Sequence, residues 1–276
     1  MINNRYTTML KRPYLYVARL LATTVLILLM AFPVYAERYR LELVGYARDV
    51  DSGELYYTEN HIKHHDDKAI TKHEVRYANA QGEVFATKTL DYSRGLYAPA
   101  FRLEDKRTGY IEGARYTEQG YQLFNQKPGD DMKYEVVGDG KYPLMADAGF
   151  DTFMRDNLSA LSAGEVPVME LAVAGRLSSY NFRAKAVAEH MIFGQPAVEV
   201  HSEPASRLLR LLTGPLTLFY QKDNGQLLRY EGMTNIRNIE TGKLYTARIE
   251  FPVDEIRKSP LDDMPGDAPA KGEMKR

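Results

Sequence analysis

Apolar and polar residues alternate singly along most of this chain. Tyr39, Leu41, Leu43, Gly45 and Ala47 alternate with Arg40, Glu42, Val44, Tyr46 and Arg48, which predicts a strand with one apolar face. Asp51-Ser52-Gly53 signals a turn, and the extended pattern resumes over 54–64. Asp66-Asp67 turns the chain again. Strands follow at 73–78 and 83–90, joined by Asn79-Ala80-Gln81-Gly82. Stretches 101–104 and 110–114 flank Lys106-Arg107-Thr108-Gly109, a hairpin signal, and 121–124 and 134–137 complete this half. Turn signals recur roughly every 10 to 14 residues, which favours an antiparallel meander over βαβ units.

The period changes at 147–164. Phe150, Phe153, Met154, Leu158 and Leu161 fall three and four apart, the stripe of an amphipathic helix. Asp147 is placed to cap its start, Asp151 and Arg155 to pair on its wet face, and Gly164 to end it. Next, 166–173 is apolar on both faces. Over 180–189, Phe182, Ala184, Ala186 and Ala188 share one face, with Arg183, Lys185 and Glu189 opposite. Small residues there suit close approach of the helix more than a ligand space. A short second helix is expected at 206–212, stopped by Gly214-Pro215. Strands at 216–221, 226–231 and 243–251 are joined by Asp223-Asn224-Gly225 and Glu240-Thr241-Gly242.

The predicted fold is mainly β. It is a large curled antiparallel meander, a half-barrel or open barrel, with one main amphipathic helix packed on it and a short second helix. A sheet of that size must close, curl or split, and a lone helix stripe has only sheet to pack on. Three segments are expected: a signal peptide at 1–36, one β-rich domain at 37–251, and a disordered tail at 252–276 with four prolines and mixed charge.

The signal reading rests on Arg5, Lys11, Arg12 and Arg19, the apolar run 20–32, and Val34-Tyr35-Ala36 before a cut. An uncleaved inner-membrane anchor would need about 20 apolar residues, which here means including Arg19 and Pro33. A cleaved, exported, periplasmic protein is therefore expected. The chain has no cysteine, so no disulfide or lipid-attachment thiol supports it. Without the four basic residues of the signal, 32 basic residues face 37 acidic ones. That balance argues against nucleic acid as a partner. Twenty Tyr and no Trp suit a pleated, half-buried surface.

Chemistry is sparse. His61, His65 and His73 flank the Asp66-Asp67 turn and are the weak candidates for zinc or copper, without a metal-binding motif around them. No nucleophile elbow is present, and adjacent carboxylates on a strand point to opposite faces. No catalytic residue and no cofactor is expected. The 92–101 loop carries Tyr92, Arg94, Tyr97 and Phe101, and the 206–218 stretch carries Arg207 and Arg210. These six are the candidate ligand-binding residues, with an arginine to hold an acidic head group.

The runs Asp51-Ser52-Gly53-Glu54-Leu55-Tyr56-Tyr57-Thr58-Glu59, Leu90-Asp91-Tyr92-Ser93, Asp147-Ala148-Gly149-Phe150-Asp151 and Leu228-Arg229-Tyr230-Glu231-Gly232 carry a further signal. In them the chain resembles a family of exported bacterial β-rich proteins of unknown function. The layout is also similar to the half-barrel of periplasmic carriers of the LolA/LolB kind, by architectural analogy. The export signal, the large β meander, the covering helix and the lack of catalytic motifs favour an exported periplasmic protein that binds or carries an apolar or amphipathic ligand such as a lipid. The alternative is an envelope interaction or structural protein with a filled core and a protein partner. A hydrolase with an unrecognised site is the third expectation.

Overall fold

The computed structural model describes residues 37–67, 69–210 and 215–261. The expected signal peptide at 1–36 lies outside the described residues, as does 262–276. Among the described residues, no helix is long and apolar enough to cross a membrane.

Alternation produces strands, as expected. The first half is β1 (Arg38–Arg48), β2 (Leu55–Asp66), β3 (Ala69–Ala78), β4 (Val84–Asp91), β5 (Ala100–Asp105), β6 (Tyr110–Thr117), β7 (Gly120–Gln126) and β8 (Lys133–Val137). Each pairs antiparallel with the next. The second half is β9 (Leu144–Ala146), β10 (Val168–Val173), β11 (Ser178–Ile192), β12 (Gln195–Pro204), β13 (Leu216–Gln221), β14 (Leu227–Arg237), β15 (Leu244–Glu250) and β16 (Arg257–Pro260). All described strands belong to one open sheet that runs from β8 through β1 and β15 to β9. The sheet is mixed, because β9 and β10 are parallel.

The sheet's two halves meet at β1. Along one edge of that strand, β15 covers Tyr46, Ala47 and Arg48, and β16 covers Tyr39 to Glu42. The domain therefore does not end at 251, as the sequence suggested. The 252–261 stretch has few apolar residues, but it needs few. It completes an edge that β15 leaves open, Lys258 lies over the ring of Tyr39, and Leu261 is buried.

The helix stripe is buried, as predicted, but the helix is broken. Gly149–Asp156 forms α1 and Leu158–Ser162 forms α2, hinged at Asn157, whose amide donates to Phe153 O at 2.8 Å. Phe150, Phe153, Met154, Leu158 and Leu161 pack against Met169, Ala184, Val198, Val200 and Leu218 of the sheet. Ala184 admits the helices closely, as its size suggested. The alanine face stops there. A register shift between Ala186 and Ala188 moves Ala188 out to solvent.

Asp147 is not the helix cap. It has φ 46°, in the left-handed region, and Ala148 is the N-cap. Asp151 takes Lys63 rather than Arg155 as its ion-pair partner, at 3.9 Å. Gly164 has φ 90° and ends the segment as expected. The short helix α3 is Arg207–Arg210, within the expected 206–212, and residues 211–214 lie outside the described set.

Candidate functional site

On the first half of the sheet, charged residues occupy positions that alternation gives to the core. Tyr57, Glu59, His61 and Lys63 share one face of β2. The same holds for His73, Val75 and Tyr77 on β3, for Ala86, Lys88 and Leu90 on β4, and for Tyr110, Glu112 and Ala114 on β6. Register places Lys63 opposite His73, Val75 opposite Lys88, and Leu103 opposite Glu112. The result is a polar belt across β2 to β6.

Within the belt, Glu59 Oε2 lies 3.0 Å from His61 Nε2. His61 Nδ1 lies 2.8 Å from His73 Nε2. Burial lowers the pKa of His61, with Glu59 opposing. Burial holds His73 well below the ordinary imidazole value, and the nearby His61, Lys63 and Lys88 push the same way. With both rings neutral, the donors are ordered by the partners. A carboxylate only accepts, so the His61 proton sits on Nε2. His61 Nδ1 then accepts from His73 Nε2–H, and His73 Nδ1 is left as an acceptor. That atom is buried and has no protein partner.

Lys88 Nζ lies 2.7 Å from Asp147 Oδ1. Burial opposes the Lys88 charge, but the Asp147 carboxylate outweighs it and holds the ammonium above the ordinary lysine value. Ala148 N–H also donates to Asp147 Oδ1, at 2.7 Å. Burial lowers Lys63, against the attraction of Asp151. Burial also pushes Glu112 up to about 7, although the Tyr110 hydroxyl donates to Oε2 at 2.7 Å.

The belt faces a hollow of about 1150 Å³. Phe150 of α1, Leu171 and Val173 of β10, Leu218 of β13, Leu227 of β14, and Phe251 give it apolar walls, and Lys127, Arg176, Arg237 and Lys243 line it as well. The turn after β14 lines it too, with Ile239 exposed. The arrangement can hold a molecule with an apolar body and a polar end.

Of the six residues expected to bind a ligand, Phe101 lines this hollow. Tyr92 is buried in the core. Arg94 lies 4.8 Å over the ring of Tyr116. Tyr97 packs edge-on against Phe153 at 5.4 Å and donates to Asp156 at 2.9 Å. The 92–101 loop is pinned to the core, since Tyr116 and Tyr121 donate to Ala98 O and Pro99 O. Gly149 sits so close that a Cβ there would meet Tyr97 O at 2.1 Å. Arg207 is exposed, and Arg210 donates to Pro204 O at 3.0 Å. The fold does not bring these six together. His61 and His73 do meet, but a register shift precedes His65, which stacks on Tyr39 at 4.6 Å. Among the described residues, no group of three or more His, Cys, Asp or Glu could hold a metal ion.

Glu59, Lys63, Lys88 and Glu112 were missed by their polarity, and His61 and His73 were singled out only as metal candidates. The available signal was parity: Glu59, His61 and Lys63 share a face with Tyr57, Lys88 with Leu90, and Glu112 with Tyr110.

Fold and site together define a β-rich open barrel with a polar belt in an apolar hollow. No protein-family model matches the chain, and no curated protein matches it. Among solved structures, the chain is similar to a β-barrel-like protein of a domain of unknown function, DUF1849, from Brucella abortus. That pair is 9% identical over 82% of this chain and 99% of that one, with a TM-score of 0.44. The chain is also similar to MucB in the Pseudomonas aeruginosa MucA/MucB complex, 14% identical over 84% of this chain and 54% of that one, with a TM-score of 0.23. It spans about half the length of MucB. A DUF1329 family protein from Desulfovibrio piger is 13% identical over 86% of this chain and 90% of that one, with a TM-score of 0.26.

Proposed function

We propose that this chain is an exported, periplasmic carrier that binds an amphipathic, largely apolar ligand such as a lipid in its hollow. The hollow carries the reading. At about 1150 Å³ it lies above the ~300–1,000 Å³ of ordinary ligand pockets, which leaves room for an acyl chain. Leu171, Leu218, Leu227 and Phe251 offer that chain an apolar wall. The belt of His61, His73, Lys88 and Glu112 offers few, fixed polar anchors. The same layout supports the analogy with carriers of the LolA/LolB kind.

Native mass spectrometry of protein purified from an envelope fraction tests this directly. A copurifying amphiphile, and enhanced fluorescence of the apolar dye N-phenyl-1-naphthylamine, are expected. Protein that carries nothing and leaves the dye dark would end the reading.

One observation favours the envelope-interaction alternative. Strand β8 ends the sheet, and its Tyr134 and Val136 are exposed, so it could take a partner's strand. A photo-crosslinker at Tyr134 that captures no envelope protein in cells would remove it.

A further inference from the structure

We infer that the hollow selects an acidic head group, so that the ligand is an anionic amphiphile whose carboxylate or phosphate oxygens are bound by Arg237, with Lys127, Arg176 and Lys243 around it. This rests on the ligand-binding reading above and narrows it.

Charge inside the hollow runs against the charge of the chain. From position 37 onward, 37 acidic residues face 32 basic ones. The hollow, however, is lined by six Lys and Arg against four Asp and Glu. Two of the six are engaged, Lys88 by Asp147 and Lys63 by Asp151, and Glu59 is engaged by His61. Among the described residues, Lys127, Arg176, Arg237 and Lys243 form no ion pair. The remaining acid is Glu112. Burial pushes its carboxyl up to about 7, so much of it carries no charge at neutral pH. A surplus of positive charge is left for a ligand to meet.

The elements that carry these four cations are tied together around Tyr110. The Arg237 guanidinium lies 5.1 Å over the Tyr110 ring and donates to Gly242 O at 3.1 Å, so its fork is held without a carboxylate. The turn Ala174–Arg176 packs on Tyr110 and Glu112. A Cβ on Gly175 would lie 2.8 Å from Glu112 Oε2 and 3.2 Å from the Tyr110 hydroxyl. Asn125 donates to Ala174 O at 2.8 Å, which brings the end of β7, and with it Lys127, beside that turn. Asn238 N–H donates to Lys243 O at 2.9 Å, which sets Lys243 next to Arg237. A pinned arginine fork suits the paired oxygens of a carboxylate or phosphate. Lys127, Arg176 and Lys243 are exposed, so the charged head group stays at a wet rim while its chain runs along Leu171 and Leu218. A neutral head group gains nothing from the surplus, and a cationic one adds to it.

Displacement of N-phenyl-1-naphthylamine from the full mature chain, at about pH 7.5, reads the preference. Four amphiphiles with the same twelve-carbon chain are compared: dodecanoate, dodecyl phosphate, dodecyl glucoside and dodecylamine. At least one of the two anions is expected to displace the dye at roughly tenfold lower concentration than the glucoside or the amine. Whichever anion is stronger identifies carboxylate or phosphate as the head group. Inorganic phosphate at the same concentration should leave the dye in place. Displacement by phosphate to match dodecyl phosphate would make this a site for a free anion and overturn the inference. Arg237→Gln should bring the anions to the level of the glucoside while dye binding persists. The double change Lys127→Gln with Lys243→Gln alters only exposed side chains and should weaken the anions roughly threefold, so the charge is tested even if Arg237→Gln fails to fold. The glucoside or the amine matching both anions would overturn the head-group inference alone, as would folded variants that keep the full preference. Loss of all binding, dye included, in the unmutated protein would overturn the carrier reading itself.

Discussion

Nζ of Lys88 and Oδ1 of Asp147 lie 2.7 Å apart, with each side chain less than a tenth exposed. The pair ties the middle of β4 to the left-handed residue that turns the chain into α1. Lys88→Met strands a buried carboxylate and should lower stability to urea by about 3–5 kcal/mol. The double change Lys88→Met with Asp147→Asn should restore most of that, since asparagine keeps the left-handed turn and carries no charge. A double variant as unstable as the single one would show that the pair is not the source of the loss.

Glu112 makes stability depend on pH in an unusual direction. Its carboxyl is raised to about 7 in the folded chain, against about 4.3 in an unfolded one. The folded state therefore binds more protons between those values. The contribution of Glu112 is full below the lower value and is lost as pH rises through the upper. Glu112→Gln should match the unmutated protein near pH 4 and exceed it by up to about 3 kcal/mol at pH 8. Urea melts across that range check it. A gap that does not grow with pH would place the titration elsewhere.

The imidazoles run the other way. His61 and His73 both sit below the ordinary value because burial disfavours their charged forms. Their contribution is present above about pH 6.5 and is lost as pH falls below it, while the unfolded chain takes up protons. Ring-nitrogen NMR at about pH 6 should find His73 neutral, with Nε2 protonated and Nδ1 bare. A protonated Nδ1 would reverse the relay and remove its acceptor.

Much of the architecture could be read from single residues. Val75 and Leu103 alternate with polar neighbours and are buried where alternation put them. The helix stripe was legible because its five residues keep the helical spacing across the break at Asn157. The break itself was not legible, since an asparagine bonding its own turn looks like any wet helical residue. The hollow was hidden for a deeper reason. Whether Glu59 and His61 face water or the concave side depends on curvature and on which strands pair, and both are set by contacts far along the chain.

Phe153→Ala should cost about 3–5 kcal/mol, because the ring is 5% exposed and packs against Tyr97. Asp156→Ala loses one exposed hydrogen bond from Tyr97 and should cost about 1 kcal/mol or less. Equal shifts of the urea midpoint would mean that α1 is not a core element.

Stopping the chain after Leu261 keeps β16 and buried Leu261. Stopping it after Phe251 removes β16 and buried Leu261 and uncovers Tyr39 to Glu42 of β1. That chain should melt lower and form dimers or larger assemblies visible by light scattering, as unpaired strand edges do. Two truncated chains of equal stability would return the domain boundary to 251.

The seam at β1 also sets the order of events when the protein is made. Tyr46 donates to Glu255 across 209 positions of sequence, and β1, the first described strand, is completed by β16, the last. A growing chain can zip β2 to β8 onto β1 by local hairpins, each closing a short loop. The other edge of β1 must wait for β15 and β16. Until then Leu41 and Leu43 sit beside an open ladder, and the long loop that seals it closes at a large entropic cost. Pairing of β15 and β16 onto β1 is thus the event that ends the chain's vulnerability to self-association.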